Sequence, residues 1–298
     1  MADVNPTHPQ VLTELIQQLN LERLELNLFR GSSRDLGNKA LFGGQVIGQA
    51  LMAAQRTVEG RSCHSLHAYF LLPGDAAAPL VYDVDRLRDG GSFSARRVQA
   101  IQHGRPIFSM IVSFQVPEDG LNHQSTMPEV PPPEALKNIA ELREQWFAEA
   151  PDMPPRAINA MNQAVAMEFR PVKPWNPLKP TTEEPNQMIW FKAVGSMEPD
   201  PLLHRAMLAY ASDFNLIGTA ARPHGLSWYS PTTMMASLDH ALWFHREVRV
   251  DDWLLYVMDS PSAQGARGLA RGQIFQRDGS LVASVAQEGL MRVVKPRV

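Results

Sequence analysis

The spacing of apolar residues changes several times along this chain, and each change marks an element. Val11, Leu12, Leu15, Ile16 and Leu19 recur at helical spacing behind Pro9 and predict a short amphipathic helix. Leu21 to Arg30 alternates leucine with charge and predicts a strand. Phe42-Gly43-Gly44-Gln45 then opens VIGQALMAAQRTV, small or apolar on all sides, as expected of a helix wrapped by a curved sheet. Four strand-like runs follow: Ser62 to Leu72, Pro79 to Leu87, Ser92 to His103 and Arg105 to Val116. Turn signals at Pro73-Gly74, Asp89-Gly90-Gly91 and His103-Gly104 separate them, predicting an antiparallel meander.

From Pro117 to Pro185 the texture is different. Thirteen of the 24 prolines lie there, around one island with helical character, Glu134 to Ala148. That composition predicts a linker that wraps a surface and builds no third core. The first pattern then returns. Val165 to Val172 and Gln187 to Val194 read as strands and Leu202 to Ile217 as a helix. Met234 to Arg246, Trp253 to Asp259, Gly265 to Gln276 and Leu281 to Val293 read as four more strands. A strand, a helix and a meander occurring twice predict an internal duplication, with one unit at 10–117, a proline-rich linker at 118–163 and a second unit at 164–298.

The helix Leu202 to Ile217 is apolar or small through its body, and one carboxylate, Asp213, interrupts it. A carboxylate there is costly unless it is hydrogen-bonded or opens on a cleft, so Asp213 is either a cap at a turn or a functional group. Sliding Phe42-Gly43-Gly44 onto His204-Arg205-Ala206 brings Leu51 onto Asp213. Carried forward, Ser65-Leu66 lands on Ser237-Leu238, and Val112 lands on Gln287. One face of the last strand reads Leu281, Ala283, Val285, Gln287, Gly289, Met291, Val293, with Gln287 its one polar member. A buried amide needs partners, either backbone groups or a site shared with Asp213 and Ser237. Two units with one set of polar residues are what duplication followed by specialisation leaves.

Composition narrows the class. The chain has 298 residues, 44% hydrophobic and 20% charged, with a net charge of −3 and no basic run, which gives no reason to expect a nucleic-acid partner. A single cysteine, Cys63, excludes an intrachain disulfide and any CxxC site, and fits a reducing compartment. MADVNPTHPQ lacks a secretion pattern, no stretch is apolar enough to span a membrane, and the terminal KPRV is not a peroxisomal signal. A cytoplasmic location is the expectation. His64, His67, His240 and His245 match no metal spacing, and no metal or cofactor is expected. GxGxxG, GxxxxGK[ST] and GxSxG are absent.

The segments LFGGQVIGQAL, HAYFLLPGD, RDGGSFSARRV, YASDFN, SLDHALWFHR, DDWLLY, ARGLARG and VAQEGLMR resemble the acyl-CoA thioesterase II (TesB-type) family. They span both units in order and cover most of the chain outside the linker. The resemblance implies an α+β protein of two fused hotdog folds, each a curved antiparallel sheet wrapped around a long central helix, the two sheets joined edge to edge. It implies hydrolysis of fatty acyl-CoA to fatty acid and CoA, and a homodimer or homotetramer. The family's catalytic aspartate, its threonine or serine, and its glutamine fall on Asp213, Ser237 and Gln287; serine in place of the commoner threonine keeps the hydroxyl.

Thioester hydrolysis asks for a placed water, a proton acceptor and an oxyanion donor. Asp213 is the expected acceptor, with Ser237 and Gln287 fixing the water. Backbone N–H groups at Gly43 and Gly44 are candidate substrate-binding donors at a helix start, although Gly-Gly is equally a tight turn into a helix. Met207, Tyr210, Trp243 and Phe244 are candidates for an acyl tunnel and Arg96, Arg97, Arg267 and Arg271 for the CoA phosphates; the alternatives are core packing and solvated strand positions. Two competing readings are a hotdog acyl-thioester hydratase or dehydratase, which wants a histidine beside the helix site, and a non-catalytic acyl-CoA-binding protein.

Overall fold

A computed structural model describes residues 9–37 and 41–294; MADVNPTH and KPRV, on which the targeting expectations partly rest, lie outside the described residues. The first unit holds α1 (Pro9–Leu19), β1 (Glu22–Glu25), β2 (Leu28–Gly31), α2 (Gly43–Gln55), β3 (Ser62–Phe70), β4 (Leu80–Asp89), β5 (Phe93–Gln102) and β6 (Arg105–Gln115). Helices α3 (Ile139–Glu149) and α4 (Pro155–Met161) follow. The second unit holds β7 (Met167–Pro171), β8 (Asn186–Ala193), α5 (Pro201–Ser212), the short α6 (Gly218–Ala221), β9 (Thr233–Ser237), β10 (Asp239–Phe244), β11 (Leu254–Gln264), β12 (Arg267–Gln276) and β13 (Leu281–Val293). Leu21 to Arg30 is thus a hairpin where one strand is predicted, because the chain reverses at Leu26-Asn27 and Arg23 pairs with Phe29.

All thirteen strands of the described residues form one sheet in the order β1-β2-β4-β5-β6-β3-β10-β13-β12-β11-β8-β7, with β9 also on β13. The first unit is not the plain meander that its turns predict. β4, β5 and β6 are consecutive, but β3 pairs with β6 on the far side, the connection 71–79 being too long for a tight hairpin. That placement leaves the other edge of β3 free to pair with β10, from Tyr69–Asp239 to Ser65–Trp243, and so removes an exposed edge from each unit.

On the concave side α2 packs against α5. A Cβ on Gly48 would stand 3.1 Å from the Ala206 carbonyl oxygen, and one on Gly44 would overlap that of Tyr210, so glycine sets the approach of the two helices. The start of α2 therefore lies beside the end of α5. Ala50, Ala53, Ala54, Ala206, Met207, Leu208 and Ala209 are fully buried, and a leucine in that state contributes about 2 kcal/mol.

The linker does more than wrap. Met127, Val130 and Leu136 cover Trp190, Trp253, Leu255 and Phe275 on the outer face of the second unit's sheet, and Trp190 Nε1 donates to the Pro131 carbonyl at 3.0 Å. Leu142 and Trp146 of α3 bury with Ala157 and Leu178 into a small core of their own, contrary to the expectation of none.

Both units carry a bulge at the same place. In β3 it falls at His64, between the pairs Cys63–Phe114 and Ser65–Ser113. In the second unit it falls at Leu238, between Ser237–Gly289 and the β10 pairs that begin at Ala241–Ala286, and it splits the single strand predicted over Met234 to Arg246. Superposing the bulges sets Cys63 on Ser237, Leu66 on His240 and Val112 on Gln287. The sequence register is therefore right for Val112 and two residues out for Ser65-Leu66, because the loop between helix and strand differs in length. A further bulge at Val282 turns Leu281 to the outer face, away from the row that sequence alternation assigns it.

Candidate active site

Helix α5 starts on Pro201 with Asp200 as its cap, the Asp200 carboxylate accepting from Leu202 N at 2.9 Å. It ends at Ser212, five residues before the predicted end, and Asp213 is its C-cap residue; Asn215 takes the left-handed conformation at φ 66° and turns the chain away. The Asp213 side chain is 5% exposed. Helix α2, by contrast, has Phe42 at its N-cap and no side-chain cap of its own. Asp213 supplies it: Oδ2 accepts from Gly44 N at 2.8 Å. The carboxylate of one unit thus caps the helix of the other, at the positive end of the α2 dipole.

Asp213 Oδ1 accepts from Gln287 Nε2 at 2.7 Å. Burial pushes the Asp213 pKa above the ordinary aspartate value, and the bonds from Gln287 and Gly44 pull against that rise. A carboxylate so placed is held ready as a base and is more basic than it would be in water.

Gln287 is fully buried, and its Nε2 also lies 3.2 Å from Nδ1 of the buried His240. The other ring nitrogen of His240 is 2.9 Å from Ser212 Oγ, whose hydroxyl hydrogen goes to the Ala209 carbonyl at 2.9 Å. Ser212 can then only accept, so His240 carries its hydrogen on Nε2 and offers Nδ1 as an acceptor. Burial pushes the His240 pKa down to about 3, so the ring is neutral and its 3.9 Å approach to Asp213 Oδ1 is not an ion pair. Both amide hydrogens of Gln287 are committed, and Gln287 Oε1 has no partner among the described residues. In the first unit Leu66 and Val112, both fully buried, stand where His240 and Gln287 stand here.

Ser237 ends β9 opposite Gly289, which puts its side chain on the same face of the sheet as Gln287. It is half-buried, directly before the bulge; the strand is held across the bulge by Leu238 N to the Glu288 carbonyl at 3.0 Å and Asp239 Oδ1 from Glu288 N at 2.7 Å. Asp213 and Gln287 touch directly, whereas Ser237 reaches neither by a hydrogen bond. Gly43 and Gly44 both lie at the site. A Cβ on Gly43 would stand 2.8 Å from Asp213 Oδ2 and from Phe70 Cζ. The Gly44 N–H is spent on Asp213, so of the two candidate donors only that of Gly43 remains without an acceptor among the described residues. The rings of Phe42 and Phe214, 4.3 Å apart, and of Phe70 give this corner apolar walls.

Met207, Tyr210 and Phe244 are buried, but Trp243 faces outward, edge-on to His67 at 5.1 Å, on the wrong side of the sheet for a tunnel. Arg96 is buried and tied to Thr57 and Asp89, while Arg97, Arg267 and Arg271 pair with Asp85, Glu288 and Asp259. His240 and Ser212 were not among the candidate site residues. His240 shares its inward row with Leu242 and Phe244, and a histidine in such a row was the signal. Among the described residues no cluster could hold a metal ion, and no helix is long and apolar enough to cross a membrane.

A family model described as acyl-CoA thioesterase matches residues 160–290, and one for the acyl-CoA thioesterase N-terminal domain matches 32–115. The human protein acyl-coenzyme A thioesterase 8 is 45% identical over 288 residues, covering 94% of this chain and 89% of its own. This chain belongs to the acyl-CoA thioesterase family. The crystal structure of an acyl-CoA thioesterase II, TesB2, from Mycobacterium marinum is 41% identical, covers 95% of this chain and 100% of its own, and superposes with a TM-score of 0.76. A hot dog-fold protein of unknown function from Alicyclobacillus acidocaldarius, at 16% identity and a TM-score of 0.73, shares the fold alone. The acyl-CoA thioesterase chain described here is accordingly an α+β double hotdog, and its two units meet at Gly44 and Asp213.

Proposed function

We propose that this protein hydrolyses acyl-CoA thioesters to a free acid and CoA, with Asp213, Gln287 and Ser237 acting on a single water. What carries the reading is the buried Asp213 carboxylate, which has one oxygen on Gly44 N at 2.8 Å and the other on Gln287 Nε2 at 2.7 Å, beside an amide oxygen with no partner among the described residues. The water donates one hydrogen to Asp213 and is steadied by Gln287 Oε1 and the Ser237 hydroxyl. Its oxygen attacks the thioester carbonyl carbon, Asp213 takes the proton, the carbon–sulfur bond breaks, and Asp213 gives that proton up to the departing thiolate, which restores the carboxylate. The Gly43 N–H, at the start of α2, is the donor best placed for the developing oxyanion. Ser237 is not the nucleophile in this scheme, since among the described residues no base is hydrogen-bonded to it.

Against a hydratase stand the place of His204, whose Nδ1 accepts from Val250 N at 3.1 Å near the opposite end of α5, and the state of His240, which lies beside Asp213 but is fully buried with both ring nitrogens hydrogen-bonded to Ser212 and Gln287. The test is release of free thiol from a series of acyl-CoAs of increasing chain length. Thiol release that is lost in Asp213→Asn supports hydrolysis; consumption of an enoyl-CoA without thiol release overturns it.

A further inference from the structure

The sequence pattern SLDHALWFHR contains a residue that the hydrolytic scheme leaves idle. His240 is fully buried, reaches no opening, and has no counterpart in the first unit, where Leu66 fills its place. A buried imidazole with both nitrogens hydrogen-bonded costs more to keep than the leucine that the same backbone already accepts.

We propose that His240 is a positioning residue for the reaction: it fixes the orientation of the Gln287 amide so that Oε1, and not Nε2, is presented to the water. A glutamine amide facing a single carboxylate can satisfy it with one hydrogen while its other groups rotate. Here the second hydrogen is held as well, by His240 Nδ1 at 3.2 Å, and Nδ1 is an acceptor only because Nε2–H is held by Ser212 Oγ at 2.9 Å. The order of the relay is fixed from its far end: the Ala209 carbonyl takes the Ser212 hydrogen, Ser212 takes the His240 hydrogen, and His240 takes a hydrogen of Gln287. A flipped amide would set Oε1 against the Asp213 carboxylate and against the lone pair of Nδ1 at once. The first unit makes the same point by omission, since an apolar Leu66 stands across from an apolar Val112 that has no orientation to fix.

This inference rests on the hydrolytic reading, and the experiment separates the two. In full-length protein labelled at histidine with nitrogen-15, the His240 resonances, assigned by their loss in His240→Leu, should report a neutral ring with its hydrogen on Nε2; a hydrogen on Nδ1 or a doubly protonated ring overturns the inference. In steady-state hydrolysis His240→Leu should lower kcat by ~10-fold or more with KM changed by less than ~3-fold, and His240→Asn, whose Oδ1 can accept where Nδ1 does, should recover most of it. Ser212→Ala should give an intermediate loss of kcat. A folded His240→Leu with kcat within ~2-fold of wild type overturns the inference while Asp213→Asn remains impaired. Full activity in Asp213→Asn instead sinks the hydrolytic reading, and the inference with it. Should His240→Leu fail to fold, loss of the same resonances in His240→Asn assigns them, and the ring tautomer with the activities of the Asn and Ser212 variants still decides.

Discussion

Gly44 donates its backbone hydrogen to Asp213 Oδ2 at 2.8 Å, across 169 positions of sequence and from one unit to the other. The first unit carries none of the three polar side chains of the site, yet its backbone fixes one oxygen of the Asp213 carboxylate. Asp213 is both the cap of a neighbouring helix and the proposed proton acceptor, and its two roles separate by substitution.

Asp213→Asn keeps a carbonyl oxygen for Gly44 and should fold, while thiol release falls by at least ~100-fold, because an amide cannot accept the water's proton. Asp213→Ala should lose the cap as well, at about 1 kcal/mol, offset in part by relief of a buried carboxylate. Circular dichroism with chemical denaturation separates fold from activity in both.

The raised Asp213 pKa sets a pH dependence with opposite signs for rate and stability. The rising limb of kcat/KM should have its midpoint above the ordinary aspartate value, since the base must be ionised to work. Stability runs the other way. The folded state holds the Asp213 proton more tightly than the unfolded chain, so this group's contribution is fully present below the unfolded pKa and is lost as pH rises through the folded one. Denaturation of wild type and Asp213→Asn across that range should therefore differ most at the alkaline side; equal curves would contradict the shift.

Gly44→Ala would drive a methyl group into the Tyr210 carbonyl oxygen and force α2 from α5, since backbone cannot yield as a side-chain tip can. A loss of ~3 kcal/mol is expected, together with activity. Gly43→Ala meets Asp213 Oδ2 and the Phe70 ring, each at 2.8 Å, and should harm turnover more than stability. Melting temperature and kcat measured side by side distinguish the two.

Cys63 is buried, and burial pushes its thiol pKa up to about 12. A thiol reagent should leave the native protein unmodified and find one thiol per chain after unfolding. Colour developed during hydrolysis then reports CoA alone.

The duplicated architecture was legible because both units keep the same alternation and the same small-residue helix, and Gln287 was legible as a lone amide in an apolar row. Bulges were not. Each inserts one residue without disturbing composition, which accounts for the split at Leu238 and the slip at Leu281, whereas the two-residue error at Ser65-Leu66 comes from the unequal loops between helix and strand. The pairing of β3 with β6 and β10 was hidden for another reason, since strand order depends on partners far away in sequence. Among the site residues, Gly44 was expected to serve the substrate and serves Asp213, a contact that spacing along either unit could not reveal.

The bulge recurs at His64 in the first unit, so the kink that follows Ser237 belongs to the repeated scaffold and does not depend on the polar residues of the second unit. The first unit's backbone therefore carries the same kink, with the apolar Leu66 and Val112 where the second unit has His240 and Gln287. At these positions the two units differ in their side chains and share the path of the chain.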